Sequence, residues 1–150
     1  MTDNLTDREN QIQRLQTNLE AIRKIAGWTA KDLGEKIGVT KQTISNLENS
    51  KTKMNFTQYI AIRSVLDAEV ERHPDNELLP EVIKILLDSG DKLDDETYEK
   101  AKWSSQTVAA TIAGGATIPA AIAIFGGIMP LVAQTVAGEI TKSAWKKLLK

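Results

Sequence analysis

Lys41, Gln42, Ser45 and Asn46 are the residues whose types and spacing could do the most specific chemistry. If Ile44 and Leu47 turn inward on a helix, these four turn outward together. The Gln and Asn amides can each donate and accept toward an adenine edge, and Lys can reach the acceptors of guanine. A merely solvated helix face could carry the same residue types, so the surrounding elements must decide between the two. Other chemistries have little to draw on. The chain has no Cys, which excludes disulfides, thiolate metal sites and thiol nucleophiles. Its one histidine, His73, stands beside Pro74 in a polar stretch, so a multi-histidine metal site is excluded as well. The acidic group Asp91, Asp94, Asp95, Glu96 and Glu99 lacks the alternating ligand spacing and distal Glu of an EF-hand loop. Carboxylates at a helix N-terminus, facing its positive end, account for it better. No Ser-His-Asp arrangement and no phosphate-cradling Gly loop occurs. The expectation is a protein that is not an enzyme, with no metal and no cofactor.

The elements that would position these side chains are helices. Ile12, Leu15, Leu19 and Ile22 advance by three or four residues and draw one apolar stripe, which Gly27 ends. Thr29 is placed to cap the next helix, supported by Asp32 three residues on. Leu33 and Ile37 face inward on it, and Gly38 supplies a left-handed terminus. Thr40 caps a third helix, Lys41 to Asn49, and Asn55 caps a fourth carrying Tyr59, Ile62 and Leu66 on one side. Alternation of period two never persists, so the fold class predicted is all-α.

A short helix, the turn Gly38-Val39-Thr40 and a second short helix make a helix-turn-helix. The run from Trp28 to Lys53, with Gln-Thr-Ile-Ser-x-Leu-Glu-x-x-Lys-Thr at its centre, resembles the DNA-binding domain of lambdoid phage repressors and Cro proteins, the XRE type. The resemblance covers residues 10–66 and implies a five-helix, repressor-like domain whose helix Thr40–Asn49 lies in the major groove. It implies that Lys41, Gln42 and Asn46 read bases, with Ser45 beside them, and that Thr43, Asn49, Lys51 and Lys53 hold phosphates. The family often has Gln, a phosphate ligand, where this chain has Ala30; Thr29 or Lys31 would have to substitute. It also often has Pro where Met54 stands. A domain of this size contacts few base pairs, so the expected partners are a double-stranded DNA operator and a second copy, as a homodimer or higher oligomer.

Charge divides the chain. Residues 1–66 carry net +3, residues 67–103 net −7 and residues 104–150 net +3, for a total of −1. Such a balance excludes a uniformly basic coat for nucleic acid. The expected domains are a helix-turn-helix unit over 1–70, an acidic helical connector over 71–103 and a hydrophobic segment over 104–150. Within the connector, Pro74 stops the preceding helix. Leu78, Leu79, Val82, Ile83, Leu86 and Leu87 line a second helix ending near Ser89-Gly90, and Asp94 precedes a third running toward Trp103.

From Ser104 to Gly138 there is no charge for 35 residues. The apolar run Val108–Gly138 exceeds the roughly 20 residues that span a bilayer. Trp103 with Lys102, and Trp145 with Lys142, Lys146 and Lys147, flank it as interfacial anchors would. A helical hairpin turning at Gly126-Gly127, with Pro130 in the first turn of its second arm, would keep both basic ends on one side. The same Ala, Gly and Thr content suits the tightly packed centre of a soluble oligomer. Both readings stay open. The polar first 25 residues contain no signal peptide, so a cytosolic, DNA-associated protein is expected, either free or at the inner face of the cell membrane. The function expected is sequence-specific transcription regulation, as a repressor, because repression needs only site occupancy. The alternative is a small membrane-active effector or antitoxin-like protein with an autoregulatory DNA-binding domain.

Overall fold

The computed structural model describes residues 2–89, 93–121, 123 and 144–149, and all regular structure among them is helical. Helix α1 (Thr2–Ile25) is the spine, with Leu15, Leu19, Ile22 and Ile25 buried along the predicted stripe. It stops as the sequence anticipates. Gly27 takes φ +84°, and the Gly27 and Trp28 N–H groups close onto the Lys24 and Arg23 carbonyls at 3.0 and 3.1 Å. Helices α2 (Ala30–Ile37) and α3 (Lys41–Glu48) follow, and α4 (Phe56–Arg72) begins with a reciprocal cap between Asn55 and Gln58. The inner face of α4 is Tyr59, Ile62 and Leu66, as spaced, together with Arg63.

Pro74 does end α4, but the break is tied down. Asn76, 8% exposed, donates to the Ile25 carbonyl at 3.0 Å and accepts from the Leu79 N–H at 3.2 Å. One side chain thereby fixes the end of α1 to the start of α5 (Leu78–Leu86). The apolar face named from the sequence is buried throughout. Helix α6 (Asp95–Ala113) starts at the Asp94 cap, whose carboxylate accepts from the Thr97 N–H at 2.7 Å. It lies along α1, where Asn18 donates to the Tyr98 hydroxyl at 2.9 Å. Ala101, Ser104, Ser105, Val108 and Ala109 are its buried face; such small side chains let two helix backbones approach closely. The acidic segment therefore carries two helices that pack on α1.

This packing alters the reading of the uncharged stretch. Its first residues, Ser104 to Ala109, belong to a helix that covers α1. Helix α6 then ends within the stretch: Gly115 takes φ +106°, and the Gly115 and Ala116 N–H groups close onto Ile112 and Thr111 at 2.9 and 3.1 Å. The helix that carries the first residues of the apolar run Val108–Gly138 thus stops at Ala113. Among the described residues no helix is long and apolar enough to cross a membrane. The predicted turn at Gly126-Gly127, with Pro130, lies outside the described residues.

Trp145 is a second correction. Expected as an interfacial anchor, it is 3% exposed, whereas Trp103 is 61% exposed. It sits on a 3-10 helix (Ala144–Leu149) that docks beside α4. Its indole N–H donates to Asp67 at 3.0 Å, its ring meets Tyr59 edge-on at 6.0 Å, and the Arg63 guanidinium lies 5.5 Å from its centroid. Arg63 is paired with Asp88 at 3.0 Å. Burial pushes the Asp88 carboxyl above its ordinary range against the pull of Arg63, and burial pushes the Tyr59 hydroxyl up to about 12. Arg8 secures the other end of the segment by donating to the Leu148 carbonyl at 3.3 Å. Trp145→Phe keeps an aromatic ring against Tyr59 but has no N–H for Asp67. It should lower stability by about 1.5–3 kcal/mol, the range for a bond to a charged acceptor, read as a lower urea midpoint at unchanged slope.

Candidate nucleic-acid interface

The geometry of α2 and α3 is built from local caps and one close approach. The Asp32 N–H donates to the Thr29 hydroxyl at 3.0 Å, while the Thr29 N–H donates to the Asp32 carboxylate at 2.8 Å. Helix α2 ends at Gly38, φ +79°, and the Val39 N–H returns to the Gly34 carbonyl at 2.9 Å. The turn then folds against α2 at Gly34. A Cβ there would lie 2.7 Å from the Val39 carbonyl oxygen and 3.2 Å from the Thr40 carbonyl carbon. Helix α3 starts at the Thr40 hydroxyl, which accepts from the Thr43 N–H at 3.0 Å. Its inner residues, Ile44 and Leu47, are 0% and 1% exposed.

A charged clamp sets the direction of α3. The Arg23 guanidinium reaches Glu48 twice, Nε to Oε2 at 2.6 Å and Nη2 to Oε1 at 3.0 Å, and its Nη1 donates to the Trp28 carbonyl at 2.8 Å. Both side chains are about nine-tenths buried. Nothing in the residue spacing marks this pair as partners, since 25 positions separate them. Only the conjunction of an Arg near the end of one apolar stripe and a Glu beside Leu47 hints at it.

The outward face holds the residues named from the sequence. Lys41 and Gln42 are exposed, and Ser45 and Asn46 are half-buried beside them. The Gln42 amide donates to Asn46 Oδ1 at 2.9 Å across one helical turn. That bond leaves Gln42 Oε1 as an acceptor and Asn46 Nδ2 as a donor, the combination an adenine presents a partner for in the major groove. The candidate phosphate ligands are distributed around this helix. Thr43 shares its hydroxyl with Thr40 at 2.9 Å, and Asn49 is the exposed C-cap of α3. Lys51 and Lys53 are exposed on the loop that follows. Near α2, the Thr29 hydroxyl is already engaged in its cap, while the Lys31 ammonium is largely exposed, 4.0 Å from Glu35. Of the two candidate substitutes for the missing Gln, Lys31 is the one whose head group is not engaged in the cap.

The fold and this exposed helix define a class: α2, the turn and α3 are a helix-turn-helix. Residues 19–72 match the family described as Helix-turn-helix, which bears out the resemblance read over residues 10–66. Over 54 residues the chain is 33% identical to Antitoxin HipB of Escherichia coli O6:H1 (strain CFT073), covering 36% of this chain and 57% of that protein. It is likewise 33% identical over 54 residues to Antitoxin HipB of Escherichia coli K12, covering 61% of that protein. The chain thus spans about three-fifths of the length of the curated relatives it matches. No solved structure matches it.

Two consequences can be measured. Gly34→Val places its branched side chain against the Val39 carbonyl and should destabilise by about 1–3 kcal/mol, as overpacking does, seen as a lowered thermal midpoint. The Asp32 carboxyl is held below its ordinary range by the Thr29 backbone N–H, with the Thr29 side chain adding to it. Its contribution is therefore complete above the unfolded value, near pH 4, and lost as pH falls through the lower folded value. A pH series of thermal midpoints should show a shallower acid limb in Asp32→Asn than in wild type.

Proposed function

We propose that this chain is a sequence-specific DNA-binding transcription regulator that represses by occupying an operator. The single observation that carries the reading is the outward face of α3, bearing Lys41, Gln42, Ser45 and Asn46 on a helix whose inner face is locked by Ile44, Leu47 and Glu48. Base edges are read by Lys41, Gln42, Ser45 and Asn46. Register is held on the backbone by Lys31, Thr43, Asn49, Lys51 and Lys53, with Thr29 supporting the start of α2. A dimer reading two half-sites supplies the specificity one unit lacks. Ser104, Ser105, Val108, Ala109 and Trp145 pack within the chain, which favours packing over membrane tethering for those parts, and the remainder of residues 104–150 serves association.

The second reading is an antitoxin with an autoregulatory DNA-binding domain, favoured by the name both relatives carry. It expects a protein partner that copurifies stoichiometrically and changes operator affinity, whereas the first reading needs none. The test of the leading proposal is selection of a DNA site by the full chain, followed by binding to its single-base variants. Gln42→Ala should weaken binding by about 1–3 kcal/mol and relax preference at one base position. An equal loss across all variants would place Gln42 on the backbone instead.

A further inference from the structure

Gln16 stands on α1, not among the residues singled out from the sequence, and all of its amide groups are spent on one place. Its Nε2 donates to the Leu47 carbonyl at 3.0 Å and to the Thr52 carbonyl at 2.7 Å, and its Oε1 accepts from the Met54 N–H at 2.9 Å. Leu47 lies in the last turn of α3; Thr52 and Met54 bracket Lys53. The loop from Ser50 to Lys53 is otherwise held by backbone bonds to the end of α3, the Ser50 N–H donating to the Leu47 carbonyl at 3.2 Å. Ser50 sits at φ +57°, and the Lys51 and Thr52 N–H groups share the Asn46 carbonyl at 2.8 and 3.5 Å. A cleft of about 420 Å³, lined by Ile12, Gln13, Gln16, Ser50, Thr52 and Lys53 among others, lies between this loop and α1.

We propose that Gln16 is a positioning residue for phosphate binding: it fixes the backbone of residues 51–54 to α1 and so holds Lys51 and Lys53 where they meet the DNA backbone. The proposal rests on the DNA-binding reading above. The reason is entropic as well as geometric. A lysine on a loose loop must have both its loop and its side chain ordered on binding, whereas a lysine on a fixed loop needs only the side chain ordered. The Met54 side chain, 2% exposed, pins the far end of the loop, and Gln16 pins its middle and its junction with α3.

The experiment measures the salt dependence of operator binding for the full-length wild type, Gln16→Met, the double variant Lys51→Ala/Lys53→Ala, and the triple combination. Gln16→Met keeps the length of the side chain and removes its hydrogen bonds. It should reduce the slope of log K against log salt by about 0.9 for each phosphate that is no longer neutralised. Its affinity should fall by the same factor on the operator and on single-base variants, and it should have no further effect where both lysines are already absent. An equal loss of affinity in the lysine-free background would overturn the proposal by reducing Gln16 to general stability. Amide exchange at Met54 in the free proteins separates the two levels. Unchanged Met54 exchange in Gln16→Met would sink the loop anchor itself, while wild-type protein that selects no DNA would sink the DNA-binding reading.

Discussion

Everything the helix-turn-helix can present to a ligand depends on the buried pair of Arg23 and Glu48. Three short elements meet there: the end of α1, the approach to α2 through the Trp28 carbonyl, and the last turn of α3 through Glu48. Helix α3 is only eight residues long, too short to be stable alone. Its two buried apolar residues lie on one stripe and resist tilting about the helix axis poorly. A bidentate Arg–carboxylate contact adds what apolar packing lacks, a defined direction. The arrangement is also unforgiving, because a single buried charge left without its partner costs about 3–5 kcal/mol. The Trp28 ring, itself largely buried, has the Lys36 ammonium 5.0 Å from its centroid.

What was legible in the sequence divides by distance along the chain. The caps at Thr29, Thr40, Asn55 and Asp94 are contacts between residues three apart, and each is formed as its residue type predicts. The apolar stripes of α1, α4 and α5 were equally legible, because helical periodicity is a property of a single segment. The orientation of Lys41, Gln42, Ser45 and Asn46 followed from the same periodicity. The contacts that join segments left no local trace. Arg63 with Asp88, Asn76 with Ile25, Asn18 with Tyr98 and Trp145 with Asp67 are separated by 25, 51, 80 and 78 positions. Gln16 belongs to this group, since a glutamine on a polar helix has no signature until its loop is in place.

The uncharged stretch shows how composition misleads when an amphipathic helix straddles a composition boundary. Helix α6 begins with Asp95 and Glu96 and ends with Thr, Ile and Ala. Its charged half makes the adjoining segment look like a solvated connector, and its apolar half looks like the start of a membrane arm. Both halves lie on one helix packed along α1. Trp145 misled for a related reason. An indole with an N–H at one edge suits a lipid interface, but it suits equally a site with one acceptor and an aromatic wall, and Asp67 with Tyr59 provides that site for Trp145.

Because α1 carries contacts to α3, α4, α5, α6 and the C-terminal 3-10 helix, it is an element through which the two halves of the chain can influence each other, beside the direct contacts of α4 with Asp88 and Trp145. Residues on opposite sides of it serve different partners. Gln16 and Arg23 hold the loop after α3 and α3 itself, whereas Asn18, two positions from Gln16, bonds Tyr98 on α6. A helix does not bend easily over so few residues, so tightening the α6 contact constrains the same turn that presents Gln16. Coupling of this kind needs no separate pathway, only a shared rigid turn with partners on both sides. It also gives the acidic helices a role that their charge does not suggest: they pack on the scaffold that holds α3 and the loop after it.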